Sequence, residues 1–297
     1  MTDRPSAGEE PAGPGPSAGG RVVLVGTPIG NLGDLSPRAQ EILQQADVIC
    51  CEDTRRTRAL LSAFGIPAGS RLRALHAHNE AAAADAAVRQ AAAGATVAMV
   101  SDAGMPGISD PGERLVAAAV AAGVPVDVVP GPAAAITAVV LSGLPAGRWC
   151  FEGFLPRQGQ ARAQRLAAVA VDERTTVIYE SPHRVARTLE DLRQACGDDR
   201  PVACVRELTK LHQEVWRGSA AGAVRWVEDH PPRGEWVVVV GGAPPVSVGA
   251  DAVADALGAA LDAGVDRRRA VADVARTLKV PKRQVYDAAL AMPWPAR

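Results

Sequence analysis

The run SDAGMPGISDPG, residues 101–112, constrains the fold of this chain more than any other segment. A short apolar stretch, 97–100 (VAMV), precedes it, and a helix-like pattern resumes at Glu113. A Gly- and Pro-rich loop on the C-terminal end of a buried strand is how α/β proteins build ligand sites. Gly104, Gly107 and Gly112 let the backbone approach a ligand, while Pro106 and Pro111 stiffen the loop in advance. Asp102 and Asp110 add acceptors. The alternative is an ordinary surface loop, but loops of this length are usually functional or disordered.

The rest of the first half repeats the pattern. Strands are predicted at 21–26, 47–51, 97–100 and 124–129, with helices at 80–93, 113–122 and 133–141. Another helix opens at Ser36-Pro37, an N-cap followed by proline at the first helical position. Strands alternating with helices imply a mainly parallel sheet covered on both faces. The second half restarts the alternation, with strands at 150–154, 175–179, 202–207 and 235–240 and helices at 162–171 and 183–196. Residues 241–249 (GGAPPVSVG) read as a linker. Beyond it, helices at 251–262, 266–278 and 282–290 carry Arg267, Arg268, Arg269, Arg276, Lys279, Lys282 and Arg283. This end resembles a helix-turn-helix module, or else a helical cap whose arginines form a solvated face. The expected organisation is a disordered tail at 1–20, α/β domains at 21–135 and 136–243, and a helical module at 250–292.

Composition narrows the class. A chain of 297 residues that is 47% hydrophobic can bury a sizeable core, and with 3% aromatics that core must be Ala, Val and Leu. No apolar run is long enough to span a membrane, and the first residues lack the apolar stretch of a secretory signal. Cys50, Cys51, Cys150, Cys196 and Cys204 are odd in number and form no Cys-x-x-Cys, so neither disulfides nor a zinc site is supported, and a cytoplasmic location is expected. Lys plus Arg is 32 against 33 for Asp plus Glu, so a phosphate-binding surface would have to come from local clustering.

Polar clusters nearly all fall where a predicted segment ends: TPIGN (27–31), CEDTRRT (51–57), HAHNE (76–80), SDAGMPGISDPG, PGPAAA (130–135), FEGFLP (151–156), YESPHR (179–184) and RELTK (206–210). Parallel strands point their C-terminal ends to one edge, so the clusters suggest one extended cleft. His76 and His78 with Glu52 and Asp53 lack a clear further ligand at metal-site spacing, and no metal is expected. A P-loop, a GxGxxG fingerprint and a GxSxG elbow at the end of a predicted strand are all missing, which weakens phosphoryl transfer, nicotinamide chemistry and serine hydrolysis.

In this order the clusters resemble the tetrapyrrole methylase superfamily of S-adenosylmethionine-dependent methyltransferases, over about 21–242. They look most like its ribosomal branch, the small-subunit rRNA cytidine-2'-O-methyltransferases, and the three-helix end resembles that branch's extra C-terminal module. Met105 stands where the family usually has Thr, and Ala133 where Ser or Cys is common. The resemblance implies two α/β domains with the donor cleft between them, a homodimer, and 16S rRNA or the 30S subunit as partner. Carried over by motif, the donor pocket would use Pro28, Ser101, Asp102, Ala103, Gly104, Ile108, Ser109, Asp110, Phe154, Tyr179 and Glu180, with Gly131, Pro132 and Glu235 nearby.

That chemistry suits the residues. Carbonyls and carboxylates favour a sulfonium cation, and glycine-rich amides can bind the donor's carboxylate. A ribose 2'-hydroxyl would attack the methyl in line, with alignment supplying most of the rate and a base assisting. Candidate bases are Glu180 and Lys210; the lysine would need its pKa lowered by burial or by Arg206. Either could instead be structural. RNA contact would fall to Arg55, Arg56 and Arg58, with Asn31, His78 and Asn79 at the rim. Competing readings are a methyltransferase acting on a tetrapyrrole, another small molecule or a protein side chain, a non-catalytic nucleic-acid-binding regulator, and a small-molecule-binding structural protein.

Overall fold

A computed structural model describes residues 19–244, 249–278 and 280–294. The expected tail at 1–20 lies almost wholly outside the described residues, as does Lys279. The chain divides into two compact units, Met1–Ala243 and Pro244–Arg297.

The first unit contains two five-stranded sheets. In the first sheet the order is β3(Leu72–Ala74), β2(Val48–Cys51), β4(Thr96–Val100), β1(Arg21–Val25) and β5(Val126–Val129), and every pairing is parallel. Successive side chains on a strand face opposite ways, and the core divides accordingly. Val22, Val97 and Met99 meet α3(Glu80–Ala92) and α4(Glu113–Ala121) on one face. Val23, Ala98 and Val100 meet α1(Pro37–Gln45) and α2(Thr54–Ala63) on the other. The caps follow the sequence: Ser36 accepts from the Ala39 amide and Asp53 from the Arg55 amide, each closing an otherwise unpaired helix start.

The second sheet runs β6(Trp149–Phe154), β7(Thr175–Glu180), β10(Trp236–Val240), β8(Pro201–Arg206) and β9(Glu214–Ser219). Here the expectation of parallel strands is corrected. Only β6 and β7 are parallel; β10 runs against both neighbours, and β8 and β9 are antiparallel. The reason is the short connection from Arg206 to Glu214, which allows a hairpin but not a crossover. α6(Gly159–Val171), α7(Val185–Cys196) and α8(Ala220–Asp229) cover one face. α5(Ala134–Ser142) covers the other, and the core beneath it includes Ile29 from the first half. The chain therefore passes from one sheet to the other at residues 130–133.

The second unit consists of α9(Ala250–Asp262), α10(Arg267–Leu278) and α11(Lys282–Leu290) around Val253, Leu257, Val271, Val274 and Val285. Arg267, Arg268, Lys282 and Arg283 are exposed on it.

Candidate active site

The loops leaving β1, β4 and β5 meet backbone to backbone. A Cβ on Gly26 would lie 2.6 Å from Gly131 Cα, and one on Gly131 would lie 2.8 Å from Gly26 C, so neither position has room for a side chain. Thr27 and Gly104 exchange amide–carbonyl bonds of 2.9 and 3.2 Å, and the Thr27 hydroxyl donates to Ser101 O. Gly104 holds φ +86, which suits glycine. Ser109 adopts φ +61 without being glycine. Glu80, from the HNE cluster, accepts from the Gly112 amide at 3.0 Å and ties down the far end of the loop.

The second half supplies the aromatic wall. A bulge between Phe151 and Gly153 shifts the register of β6. Strict alternation would send Phe151 and Phe154 to opposite faces; the extra residue brings both onto Tyr179, at centroid distances of 4.8 and 5.7 Å. The Tyr179 oxygen accepts from the Ala135 amide at 3.0 Å, which leaves its proton for another partner.

These elements enclose a cavity of about 560 Å³, within the usual range for a ligand of nucleoside size. Of the residues expected at the donor pocket, Ala103, Gly104, Ile108, Ser109, Asp110, Phe154, Tyr179, Glu180 and Glu235 line it. Pro28, Ser101 and Asp102 line a second cavity of about 550 Å³, with Arg56 and Lys210. Ile29, Ala103 and Glu235 form the common wall. Gly131 and Pro132 line neither; Gly131 is spent on the approach to Gly26. Sequence reasoning missed Ile29, Trp149, Phe151 and Leu208. The alternate spacing of Trp149 and Phe151 on a strand was the available signal.

Both candidate bases are engaged by neighbouring side chains. Lys210 Nζ lies 2.7 Å from Glu207 and 2.9 Å from Glu235. Burial works to lower its pKa, but these two carboxylates outweigh it and hold the ammonium above its ordinary value. Glu180 is buried; it accepts from the Ser181 amide at 2.9 Å and the Thr188 hydroxyl at 2.7 Å, and pairs with Arg184 at 3.4 Å. Its oxygens are committed to holding the end of β7.

Asp110 differs. Burial, then the carboxylates of Glu52 and Asp102, push its carboxyl up to about 6, against the lowering effect of a hydrogen bond from Ser101. Glu52 is raised as well, first by burial and then by Asp102.

Of the residues expected to meet RNA, Arg55 is folded onto Asp53, with hydrogen bonds of 3.2 and 2.9 Å, and Arg56 pairs with Asp102 at 3.4 Å. Arg58 is exposed, as is His78. Asn79 accepts from the His76 amide and donates to Ala74 O, and Asn31 accepts from the Gly33 amide, so both shape their own loops. No group of three or more metal-ligating side chains occurs among the described residues.

Residues 21–223 match the tetrapyrrole (corrin/porphyrin) methylases. The chain belongs to this family. Within it, the chain is 41% identical over 276 residues to a Synechocystis protein, covering 92% of this chain and 98% of that one. It is 46% identical over 272 residues to a Mycobacterium tuberculosis protein, covering 91% and 95%. Both relatives are named ribosomal RNA small subunit methyltransferase I. Uroporphyrin-III C-methyltransferase from Thermus thermophilus, solved with S-adenyl homocysteine, shares the fold at a TM-score of 0.53 and 21% identity, over 75% of this chain and 97% of that one. Membership makes the chain a methyltransferase, and its α/β architecture with an added helical unit is the fold class read from the sequence.

Proposed function

We propose that this protein transfers a methyl group from S-adenosylmethionine to the 2'-hydroxyl of a cytidine ribose in the decoding region of 16S rRNA. The observation that carries the reading is identity of 41–46% over nine-tenths of the chain to small-subunit rRNA methyltransferases. A fold relative solved with S-adenyl homocysteine supports the donor. The larger cavity fits that donor in kind: aromatic faces and a carboxylate favour a sulfonium, and the glycine-rich loop lets amides reach a carboxylate. When bound, the donor supplies an electrophilic methyl group on sulfur.

The protein's own contribution is placement. Ile108, Phe154 and Tyr179 would hold the donor, and the loops around Gly26, Gly104 and Gly131 fix its orientation. The second cavity, with Arg56 on its wall, would admit the acceptor strand, and Ile29 and Ala103 are where the two substrates would meet. Aligning oxygen, carbon and sulfur is the main source of rate. Arg58 and His78 would contact RNA at the rim. The active form would be a cytoplasmic homodimer acting on 16S rRNA or the 30S subunit.

The test is transfer of labelled methyl from S-adenosylmethionine to small subunits from a strain lacking this gene. Label in 16S rRNA is expected. Label confined to a tetrapyrrole or to ribosomal protein would replace the reading.

A further inference from the structure

The methyl-transfer site leaves one charged segment of the chain unused. Residues 267–283 carry Arg267, Arg268, Arg269, Arg276, Lys279, Lys282 and Arg283, with Asp273 as the one acid among them. α9 is the reverse: it carries Asp251, Asp255 and Asp262 and no cation. Positive and negative charge nearly balance over the whole chain, yet in the second unit they are sorted by helix.

The structure separates the cations further. Asp273 pairs with Arg269 at 3.7 Å and also with Arg276. Arg267, Arg268, Lys282 and Arg283 are exposed and have no ion-pair partner among the described residues. α11 adds an apolar component beside them. Val285 and Ala289 turn inward to the core of the unit. Lys282, Tyr286 and Leu290 recur at four-residue spacing, which lines them along one outer side of the helix, and Arg283 falls on the same side. Tyr286 is 48% exposed and Leu290 53%. A helix that only capped the unit would gain from mixing its charges and covering its tyrosine, because unpaired like charges and bare apolar area both cost stability.

Cations without protein partners, set around an exposed aromatic ring, match the chemistry of RNA. The cations meet phosphates, and the ring meets the face of an unpaired base. A fully paired A-form helix fits less well, because its major groove is too deep and narrow for side chains to read and its base faces are covered.

We infer that the outer side of α11, with Arg267 and Arg268 at the start of α10, binds single-stranded RNA. Arg267, Arg268, Lys282 and Arg283 hold phosphates, and Tyr286 stacks on a base. None of these residues lines either cavity, and the assignment does not depend on which nucleotide is methylated.

The experiment titrates the full-length protein with a short single-stranded RNA and with the same sequence as a duplex, over a range of salt. Melting and S-adenosylmethionine binding are measured on the same preparations. The R267A/R268A/K282A/R283A chain is expected to bind the single strand with a salt slope smaller by about 2 to 3, and to bind the donor as wild type does. Y286A is expected to weaken the single strand by about fivefold or more with an unchanged slope, and to change duplex binding by less than about twofold. Y286F keeps the ring and is expected to bind as wild type. A fourfold variant with the wild-type affinity and slope overturns the assignment. So does a Y286A loss that the duplex shares equally or that Y286F reproduces. Should the fourfold variant melt early, glutamine at the same four positions tests the slope instead, and an unchanged slope overturns the assignment equally. A fourfold variant that keeps its RNA affinity and loses only 30S binding overturns it too, because the partner is then a ribosomal protein. Wild-type protein that leaves rRNA ribose unmethylated removes the proposed function, whereas the single-strand titration alone decides this surface.

Discussion

In the first sheet every strand runs the same way, and the loops after β1, β4 and β5 bring their backbones into contact at Gly26, Gly104 and Gly131. In the second sheet β10 runs against β7 and β8, and buried side chains do the holding. Arg162, itself buried, donates to Asp191 at 2.8 Å, to Thr188 at 2.9 Å and to the Pro156 carbonyl at 3.0 Å, and Thr188 passes the chain on to Glu180. A parallel sheet delivers all its strand ends to one edge, so short glycine loops suffice. A sheet with reversed strands delivers alternate ends, and its site residues come from the ends of β6, β7 and β8 and the start of β10. Pairing of Trp236 with both Glu180 and Arg206 sets Glu235 at the cleft.

The comparison can be broken first on the second-sheet side. Arg162→Ala removes the centre of a buried polar network and is expected to cost about 3 kcal/mol, lowering Tm by roughly 10 °C for a unit of this size. Calorimetric melting checks it; a variant that melts with the wild type would show that the network holds nothing. Gly131→Ala tests the first sheet. Its methyl group must push two loop backbones apart, at about 2 kcal/mol, with weaker donor binding in the same preparation. Unchanged melting and donor affinity would mean that the glycine contact is incidental.

Smaller effects sharpen the account where the halves touch. Lys210 Cγ would lie 2.4 Å from a Cβ on Gly30, and its ammonium is held by Glu207 and Glu235. As a half-exposed ion pair its removal in Lys210→Ala is expected to change kcat by less than about fivefold; a loss of about 100-fold would return it to the chemistry. At the rim, Arg58→Ala is expected to reduce the salt slope of RNA binding by about 0.7, whereas Arg55→Ala changes it little because Asp53 already occupies that guanidinium. Equal slopes for the two variants would refute the distinction.

Most of the first sheet was legible because β1, β2, β4 and β5 are largely apolar runs, and the glycine-rich loop after β4 advertised a ligand site; β3 was not, being three residues with an arginine at the centre. β9 was not, since EVWRGS mixes charge and glycine and pairs only at a sheet edge. α2 was masked by its arginines, and α8 by Gly222. Strand direction in the second half turns on the β8–β9 hairpin, which was missed with β9, and the place of β10 between β7 and β8 is set by packing. The contacts of Glu180 and Lys210 depend on partners remote in sequence, Thr188 and Glu235, whereas the family motif had shown only that a carboxylate and an amine were nearby. The division of the cleft into two cavities rests on where Ile29 and Ala103 sit, which is a matter of packing.

The most direct test of the central claim is to digest 16S rRNA from labelled 30S subunits to nucleosides and identify the labelled one by mass. A single 2'-O-methylcytidine is predicted. Label on a base, on a different ribose, or on no nucleoside at all would contradict the account.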